Sequence, residues 1–551
     1  MTAAILVAKE RQLDWLLEEA FGTARRAAVP VRSHWLAAAL VVLAIGAAFG
    51  VAWLRSDGAD VPPAQEPVDD VQWFEAHGFG SLGTVPDDVV NLRCFDFDDD
   101  ALRELPRFTK LQRLDLGGMD VNDKGYSVSL PITDAGVAHL GKLKNLRWLS
   151  LASCHAMKGT SLHVLENVPL LEHLDLTYSG VESPAVERLA LLGSLRELVL
   201  SHCMNFHGRS LAAVAKSPGL RRLELRACTT LSAADALHLA KITTLRHLDL
   251  RDCQGRFRGQ RSSGLSHGGK DKDVNEEPPT EDGRGITDEV VAALSALPLE
   301  TLLLGGSESL TDAVGDSLAR MTTLRSLDLS NLPGTSGALL AKVPSALEHF
   351  WLDDNRQLAP EELRRLPPLR SLRTLGISGL QIDGVTLQQL LDAKSLRKLS
   401  LGGPPARGKG ARPPDLGPPP PNCATLVAAQ HDLESLDLRD APFVDRAFLA
   451  TIASLPRLRE LDLTGPLTNP LPDRSTAIRG LAANRSLRSL TLMWNRIDAA
   501  TLAELREVPL RELDLYGTGL KNDAVRSVAA AWPGCIVKMP GGQRYVVPVT
   551  R

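Results

Sequence analysis

The sequence predicts an α/β solenoid in which short repeated strands stack into one parallel sheet and helices line its other side. The pattern LxxLxLxxC occurs three times at a step of 25 residues, at 195–203, 220–228 and 245–253. Two leucines separated by one residue lie on the same side of a strand. Between the strands stand helix-start signals such as Thr133 followed by Asp134. Each strand has one apolar side that only a neighbouring repeat can cover, so the repeats should stack.

About sixteen copies of the LxxLxL motif extend over roughly residues 89–532. We place their centres at Phe95, Leu114, Leu149, Leu174, Leu198, Leu223, Leu248, Leu302, Leu327, Phe350, Leu375, Leu399, Leu436, Leu461, Leu490 and Leu513. The pattern resembles that of leucine-rich repeat proteins, and the copies that end in cysteine are similar to the cysteine-containing, ribonuclease-inhibitor-like repeats. The resemblance implies a right-handed horseshoe with the parallel sheet on its concave side and the helices on its convex side.

The composition is that of an ordinary globular protein. Of the 551 residues, 44% are hydrophobic and 23% are charged, and the net charge of −4 gives no general attraction to nucleic acid. Seven cysteines are too few for a disulfide framework in a chain of this length. Cys154, Cys203, Cys228 and Cys253 occupy the same repeat position, so we expect small buried groups whose thiols reach nearby backbone.

Residues 35–54 form an uncharged apolar segment that is long enough to cross a bilayer as a helix. Arg25, Arg26 and Arg32 precede it, and the positive-inside rule then leaves residues 1–34, an amphipathic segment, in the cytoplasm. The sequence thus predicts a single-pass membrane protein whose repeats lie outside the cytoplasm. A cleaved signal peptide and a buried helix of a soluble domain are the alternatives.

The rest of the chain divides into a linker (55–70), an N-terminal cap (71–91), the repeat domain (92–532) and a C-terminal cap (533–551). Four insertions, at 117–131, 254–285, 402–422 and 464–476, all follow a strand and precede a helix. We expect 254–285 and 402–422 to be disordered because they are poor in apolar residues or rich in proline and glycine. All four should emerge at one edge of the sheet, which is either a binding edge or merely one that tolerates insertion.

The candidate binding surface is the concave face, where the residues on either side of each central leucine point away from the core. Its candidate partner-binding residues are Trp148, His173, Asp175, Arg222, Glu224, His247, Asp249, Trp351, Asp437, Arg439, Glu460, Asp462, Glu512 and Asp514. Acidic side chains dominate the C-terminal part of this set. That part is either a docking patch for a basic partner or a polar surface balanced by the frequent arginine at the second repeat position.

No catalytic, cofactor-binding or metal-binding set stands out. The segment 403–409 imitates the start of a phosphate-binding loop, but Gly410 replaces the Ser or Thr that would bind magnesium. The sequence therefore favours a non-catalytic, membrane-anchored repeat protein that binds another protein and neither nucleic acid nor a small molecule. The alternatives are a substrate-recruiting subunit of a ubiquitin-ligase-like complex, which the cysteine-containing repeats suggest although no F-box is visible, and a structural or adhesion component of an envelope.

Overall fold

The chain divides into two compact units, Met1–Glu66 and Pro67–Arg551. A computed structural model describes residues 72–549, except 78, 96, 118–130, 229–230, 254–284, 394, 404–419 and 466–475. The predicted cytoplasmic segment, membrane helix and linker lie outside the described residues, as do nearly all residues of the four insertions. Within the described ranges, no helix is both long and apolar enough to span a bilayer.

One 19-stranded sheet runs through the described part of the second unit, and strands that follow each other in the chain are neighbours in it. The strands are β1 (Phe74–His77), β2 (Asn91–Phe95), β3 (Arg113–Asp115), β4 (Trp148–Ser150), β5 (His173–Asp175), β6 (Glu197–Val199), β7 (Arg222–Glu224), β8 (His247–Asp249), β9 (Thr301–Leu303), β10 (Ser326–Asp328), β11 (His349–Trp351), β12 (Thr374–Gly376), β13 (Lys398–Ser400), β14 (Ser435–Asp437), β15 (Glu460–Asp462), β16 (Ser489–Thr491), β17 (Glu512–Asp514), β18 (Ile536–Lys538) and β19 (Arg544–Val546). All pairs are parallel except β18–β19, which is antiparallel. The parallel leucine-rich repeat solenoid is therefore confirmed.

Short helices connect the strands and lie on the opposite side of the core. The α-helices span Asp99–Leu102, Asp134–Val137, Ser183–Leu189, Leu211–Val214, Ala233–Ala236, Asp288–Leu294, Val314–Arg320, Pro360–Leu363, Gly384–Leu390, Cys423–Ala428, Arg446–Ile452, Ala499–Ala503 and Asn522–Ala529. The 3-10 helices span Phe79–Thr84, Leu105–Arg107, Leu140–Lys142, Leu162–Asn167, Gly208–Ser210, Leu237–Lys241, Ala338–Lys342 and Ala477–Ala483. Thr133 is an N-cap as predicted, because its hydroxyl accepts a hydrogen bond from Ala135 N, whereas Ser183 is itself the first helical residue.

The core is a set of apolar ladders that run across the sheet. Central residues pair in register, so Leu198 lies opposite Leu223 and Leu223 opposite Leu248. Each of these three side chains is at most 1% exposed. Burying one leucine side chain completely contributes about 2 kcal/mol, so every repeat adds several such contributions and depends on its neighbours for them.

The position of the first repeat differs from the prediction. Its centre is Leu92, which pairs with Leu114, and not Phe95. Val89 and Cys94 occupy the two flanking ladder positions and are buried. The motif was missed because valine and cysteine stand there in place of leucine.

Both ends of the sheet carry additional strands. Within the segment assigned to the N-terminal cap, β1 pairs in parallel with β2 and places Phe74 opposite Leu92. At the other end, β18 continues the parallel sheet and β19 folds back on it. Both of these strands lie within the segment assigned to the C-terminal cap.

Candidate functional site

The side of the sheet that faces away from the ladders is called the open face below; it is the surface that the sequence assigns to the concave side. Register pairing aligns its side chains in two rows across the strands. The first row holds the residue before each central ladder residue and includes the candidates Trp148, His173, Arg222, His247, Glu460 and Glu512. The second row holds the residue after it and includes Asp175, Glu224, Asp249, Trp351, Asp437, Asp462 and Asp514. Arg439 follows two residues after Asp437.

The aspartates of the second row have a structural role. In each case the carboxylate accepts a hydrogen bond from the backbone N–H two residues further on, at 2.8–3.0 Å, where the chain leaves the strand. The seven residues are Asp115, Asp175, Asp249, Asp328, Asp437, Asp462 and Asp514. Recurrence of aspartate at this position therefore follows from the turn that it stabilises, and by itself it does not indicate a binding site.

Cations of the open face itself partly neutralise its acidic C-terminal part. Arg439 binds Asp437 at 2.7 Å and its Nε lies 3.8 Å from Asp462. Lys538 lies 3.2 Å from Asp514. Burial, opposed by the hydrogen bonds from Thr464, raises the pKa of Asp462. These cations come from the open face, and this corrects the expectation that arginine at the second repeat position would supply the counter-charge.

Those arginines lie instead at the edge where the strands begin, and there they hold turns together. Nη1 of Arg196 donates to the carbonyls of Gly193 and Leu195, and Nη1 of Arg325 donates to those of Thr322 and Leu324. Several arginines at this position also pair with the glutamate of a neighbouring repeat, as Arg147 does with Glu172 at 2.7 Å. The second repeat position therefore serves the edge and not the open face.

The middle of the open face contains a buried charge network. Arg222 donates to Glu224 at 2.7 Å, and Arg251 binds Asp249 at 2.6 Å and approaches Asp328 to 3.9 Å. Burial, aided by the two arginines, lowers the pKa of His247 to about 3, so its ring is neutral at pH 7. Because every ionised group here has an opposite charge within reach, the network leaves little free charge for a partner.

The N-terminal end of the first row differs, because aromatic rings and an arginine stack there. The rings of Trp148 and His173 are parallel, with centroids 5.0 Å apart. The guanidinium of Arg113 lies 5.8 Å from the Trp148 ring and 6.0 Å from that of Trp73, which itself contacts Trp148 edge to face. His173 Nδ1 lies 2.9 Å from Glu197, and this hydrogen bond lowers the pKa of that carboxyl.

We call Trp73, Arg113, Trp148 and His173 the aromatic cluster. All four side chains are half-buried. The sequence predicted Trp148 and His173 as partner-binding residues, whereas Trp73 and Arg113 were not among the candidates. Trp73 precedes β1 by one residue, in a segment that carries no recognisable repeat, and only the pairing of β1 with β2 shows that it reaches this surface.

The cysteines of the repeats are buried as predicted. The thiols of Cys203, Cys228 and Cys253 donate to backbone carbonyls of the preceding repeat, at 3.0, 3.2 and 2.9 Å. Burial raises the pKa of Cys203 to about 12, so the thiol is protonated and unreactive at neutral pH. Among the described residues, no group of three or more His, Cys, Asp or Glu side chains could hold a metal ion.

Comparisons with known proteins extend the description of the fold only. No family model and no curated protein matches the sequence. An internalin from Listeria monocytogenes is similar in structure, with 19% identity, 70% of this chain and 82% of that chain covered and a TM-score of 0.32. A leucine-rich repeat protein from Leptospira interrogans has 17% identity, 85% and 100% coverage and a TM-score of 0.35. The yeast Rad7–Elc1 complex matches with 17% identity, 73% and 80% coverage and a TM-score of 0.40. The assignment as a leucine-rich repeat solenoid accordingly rests on the ladders and the sheet of this chain.

Proposed function

We propose that this protein is a non-catalytic binding scaffold that holds another protein against the N-terminal end of its open face, with the aromatic cluster as the anchor. One observation carries the proposal. Two tryptophans, a histidine and an arginine stack in a half-buried arrangement on the open face of the sheet. Tryptophan and arginine are the residue types that most often dominate the free energy of protein–protein association.

The cluster is pre-organised for such a contact. Trp148 is held between His173 on one side and Arg113 on the other, and His173 is fixed by Glu197. Side chains that are already ordered lose little conformational entropy on binding. Arg113 forms no ion pair within the described ranges, which leaves its guanidinium free to receive a carboxylate or a carbonyl of the partner.

The rest of the open face is a poorer anchor. Its second-row aspartates are committed to strand-end turns, and its central charges are paired with each other. A partner protein would remove water from these groups without forming new hydrogen bonds to them. They therefore contribute to the specificity of binding more than to its affinity.

The proposal includes a membrane tether. The apolar segment 35–54 supports it, together with the arginines that precede this segment. A tethered scaffold would present its open face at the membrane and outside the cytoplasm.

Quantitative co-purification from native membranes tests the anchor. The substitutions Trp148→Ala and Arg113→Ala should each lower the recovery of the bound protein, because truncating a central anchor costs about 2 kcal/mol or more, roughly thirtyfold in affinity. Trp494→Ala is the matched control, since this tryptophan is 53% exposed and lies outside the aromatic cluster, against Tyr516. If the proteins recovered with Trp148→Ala, Arg113→Ala and the unaltered chain are the same in identity and amount, the cluster is not the anchor.

A further inference from the structure

A cleft at the strand-start edge contains arginines that the open face does not use. It has a volume of about 550 Å³ and lies between the turns that precede β15 and β16. Arg457, Arg459, Arg485 and Arg488 contribute to its walls, together with Ser454 and Ser486. The cleft is thus built by two successive repeats, and four positive charges converge on it.

Three of these cations lack a carboxylate partner. Arg457 binds Asp432 at 2.7 Å, but Arg459, Arg485 and Arg488 form no ion pair among the residues that the structure describes. Elsewhere along this edge a glutamate often balances the arginine, as Glu172 does for Arg147. The cleft therefore carries uncompensated positive charge.

The guanidinium groups of Arg485 and Arg488 are already oriented. Nη1 of Arg488 donates to the carbonyls of Arg485 at 3.1 Å and Leu487 at 2.9 Å, and Nη1 of Arg485 donates to that of Ala482 at 2.8 Å. Each group retains the N–H donors of Nε and Nη2. A guanidinium with a fixed plane and free donors is suited to bidentate binding of an oxyanion.

The two turns that bear the cleft are joined by the side chain of Asn484. Asn484 is 1% exposed. Its side-chain amide donates to the backbone carbonyl of Ala453, and its side-chain oxygen accepts from the backbone N–H groups of Ser486 and Leu487. These bonds also leave the Asn484-Arg485-Ser486 sequon without a free amide for a glycan in the folded protein.

We propose that this cleft binds a tetrahedral dianion, the phosphate or sulfate group of a small ligand. Arg459 and Arg488 supply the principal charge-assisted hydrogen bonds, and Arg485 supplies a third. The site lies on the strand-start edge and is independent of the aromatic cluster, so either proposal can fail without the other.

Isothermal titration calorimetry of the full-length protein in mild detergent tests this site, with inorganic phosphate and inorganic sulfate as separate probes. We expect saturable binding of at least one probe, weakening as salt concentration rises, and the stronger probe identifies the source of the dianion. Arg459→Gln and Arg488→Gln should each weaken binding roughly tenfold or more, because a hydrogen bond to a charged group contributes about 1.5–3 kcal/mol.

Arg325→Gln is the matched control, since Arg325 holds its turn through the same Nη1 bonds as Arg488 but lies away from the cleft. It should leave the affinity unchanged while losing as much thermal stability as Arg488→Gln. Absence of saturable binding of either probe to the unaltered protein would overturn the proposal. Equal loss of binding in Arg325→Gln and Arg488→Gln would overturn it too, because the effect would then come from the turn and not from the cleft.

Discussion

Asp353 follows β11 on the open face, and the fold changes its protonation strongly. Its carboxylate accepts a hydrogen bond from Ser378 N at 2.6 Å and is enclosed beside Gly376, where a Cβ atom would lie 2.4 Å from Asp353 Oδ2 and 2.5 Å from Trp351. Burial, with help from the charge of Asp328, raises the pKa of Asp353 to about 7. The folded state therefore retains a proton on this group over a range in which the unfolded chain has lost it.

The free energy of unfolding should therefore fall as the pH rises through the range in which Asp353 loses its proton. Because the pKa of Asp353 is higher in the folded state, its contribution is complete below about pH 4 and is lost as pH approaches 7. We expect Asp353→Asn, which is neutral throughout, to remove about 2–4 kcal/mol of this pH dependence between pH 4 and 8. Urea unfolding at a series of pH values measures it.

Asp354→Asn is the control for this series, because the adjacent residue has a left-handed backbone (φ 61°) that asparagine also adopts. It should keep most of the slope of the unaltered protein, because the charge of Asp354 is the smallest of the causes that raise the pKa of Asp353. Parallel curves for Asp353→Asn and the unaltered protein would show that Asp353 titrates normally in the fold.

At the scale of single residues, the sequence was informative where burial selects the residue type. The leucine ladders and the buried cysteines were predicted because only apolar or small residues fit those positions. The function of Asp437 and Asp462 was not predicted, because the sequence does not distinguish a carboxylate that caps a turn from one that binds a partner protein. Spacing could have shown the difference, because the aspartate recurs at one fixed position in the repeat.

At the scale of elements, the Thr-Asp pairs between strands connect successive repeats. Asp288 accepts hydrogen bonds from the backbone and hydroxyl of Thr311 in the next repeat, at 2.9 and 2.5 Å. Asp312 does the same with Ser336 and also accepts from Leu339 N at 3.1 Å. Asp288 is also the first residue of its helix, whereas Asp312 precedes its helix by two residues, and both fasten the turn of the following repeat.

Asp312→Ala should therefore destabilise the solenoid by about 2 kcal/mol, since three hydrogen bonds to the next repeat are lost. Asp316→Ala is the control: it removes a carboxylate one helical turn away, and that carboxylate makes a solvent-exposed ion pair with Lys342. Exposed ion pairs contribute little, so this change should have a clearly smaller effect. Chemical denaturation of both variants provides the comparison, and equal losses would show that Asp312 acts only as a surface charge.

Helix length could not be predicted from sequence with the same success as strand position. The strands are fixed by ladder residues that recur in each repeat, whereas the connecting segments form α-helices of four to eight residues or 3-10 helices. Their form depends on how each segment fits against the neighbouring repeat. Asp134–Val137 has four residues and Ser183–Leu189 has seven, although a threonine caps the first and a proline lies near the start of the second.

At the scale of the whole molecule, the two ends of the sheet determine whether the repeat domain can fold on its own. Phe74 of β1 packs against the core at one end, and at the other Val537 of β18 is buried while β19 folds back on that strand. Terminal ladder residues are thus covered, as a solenoid requires if it is to remain soluble. We expect Pro67–Arg551, one of the two compact units of the chain, to fold without residues 1–66.

The membrane tether leads to a different expectation for the full-length chain, because the uncharged stretch 35–54 should keep it in a bilayer. After cell fractionation, the full-length protein should resist extraction with high salt or carbonate and dissolve in detergent, whereas Pro67–Arg551 should remain in the aqueous fraction. Replacing 35–54 by a Gly/Ser segment of equal length is the control that retains residues 1–34 and should also release the protein. A full-length chain that is soluble without detergent would exclude the tether, and the aromatic cluster would then have to meet its partner in solution.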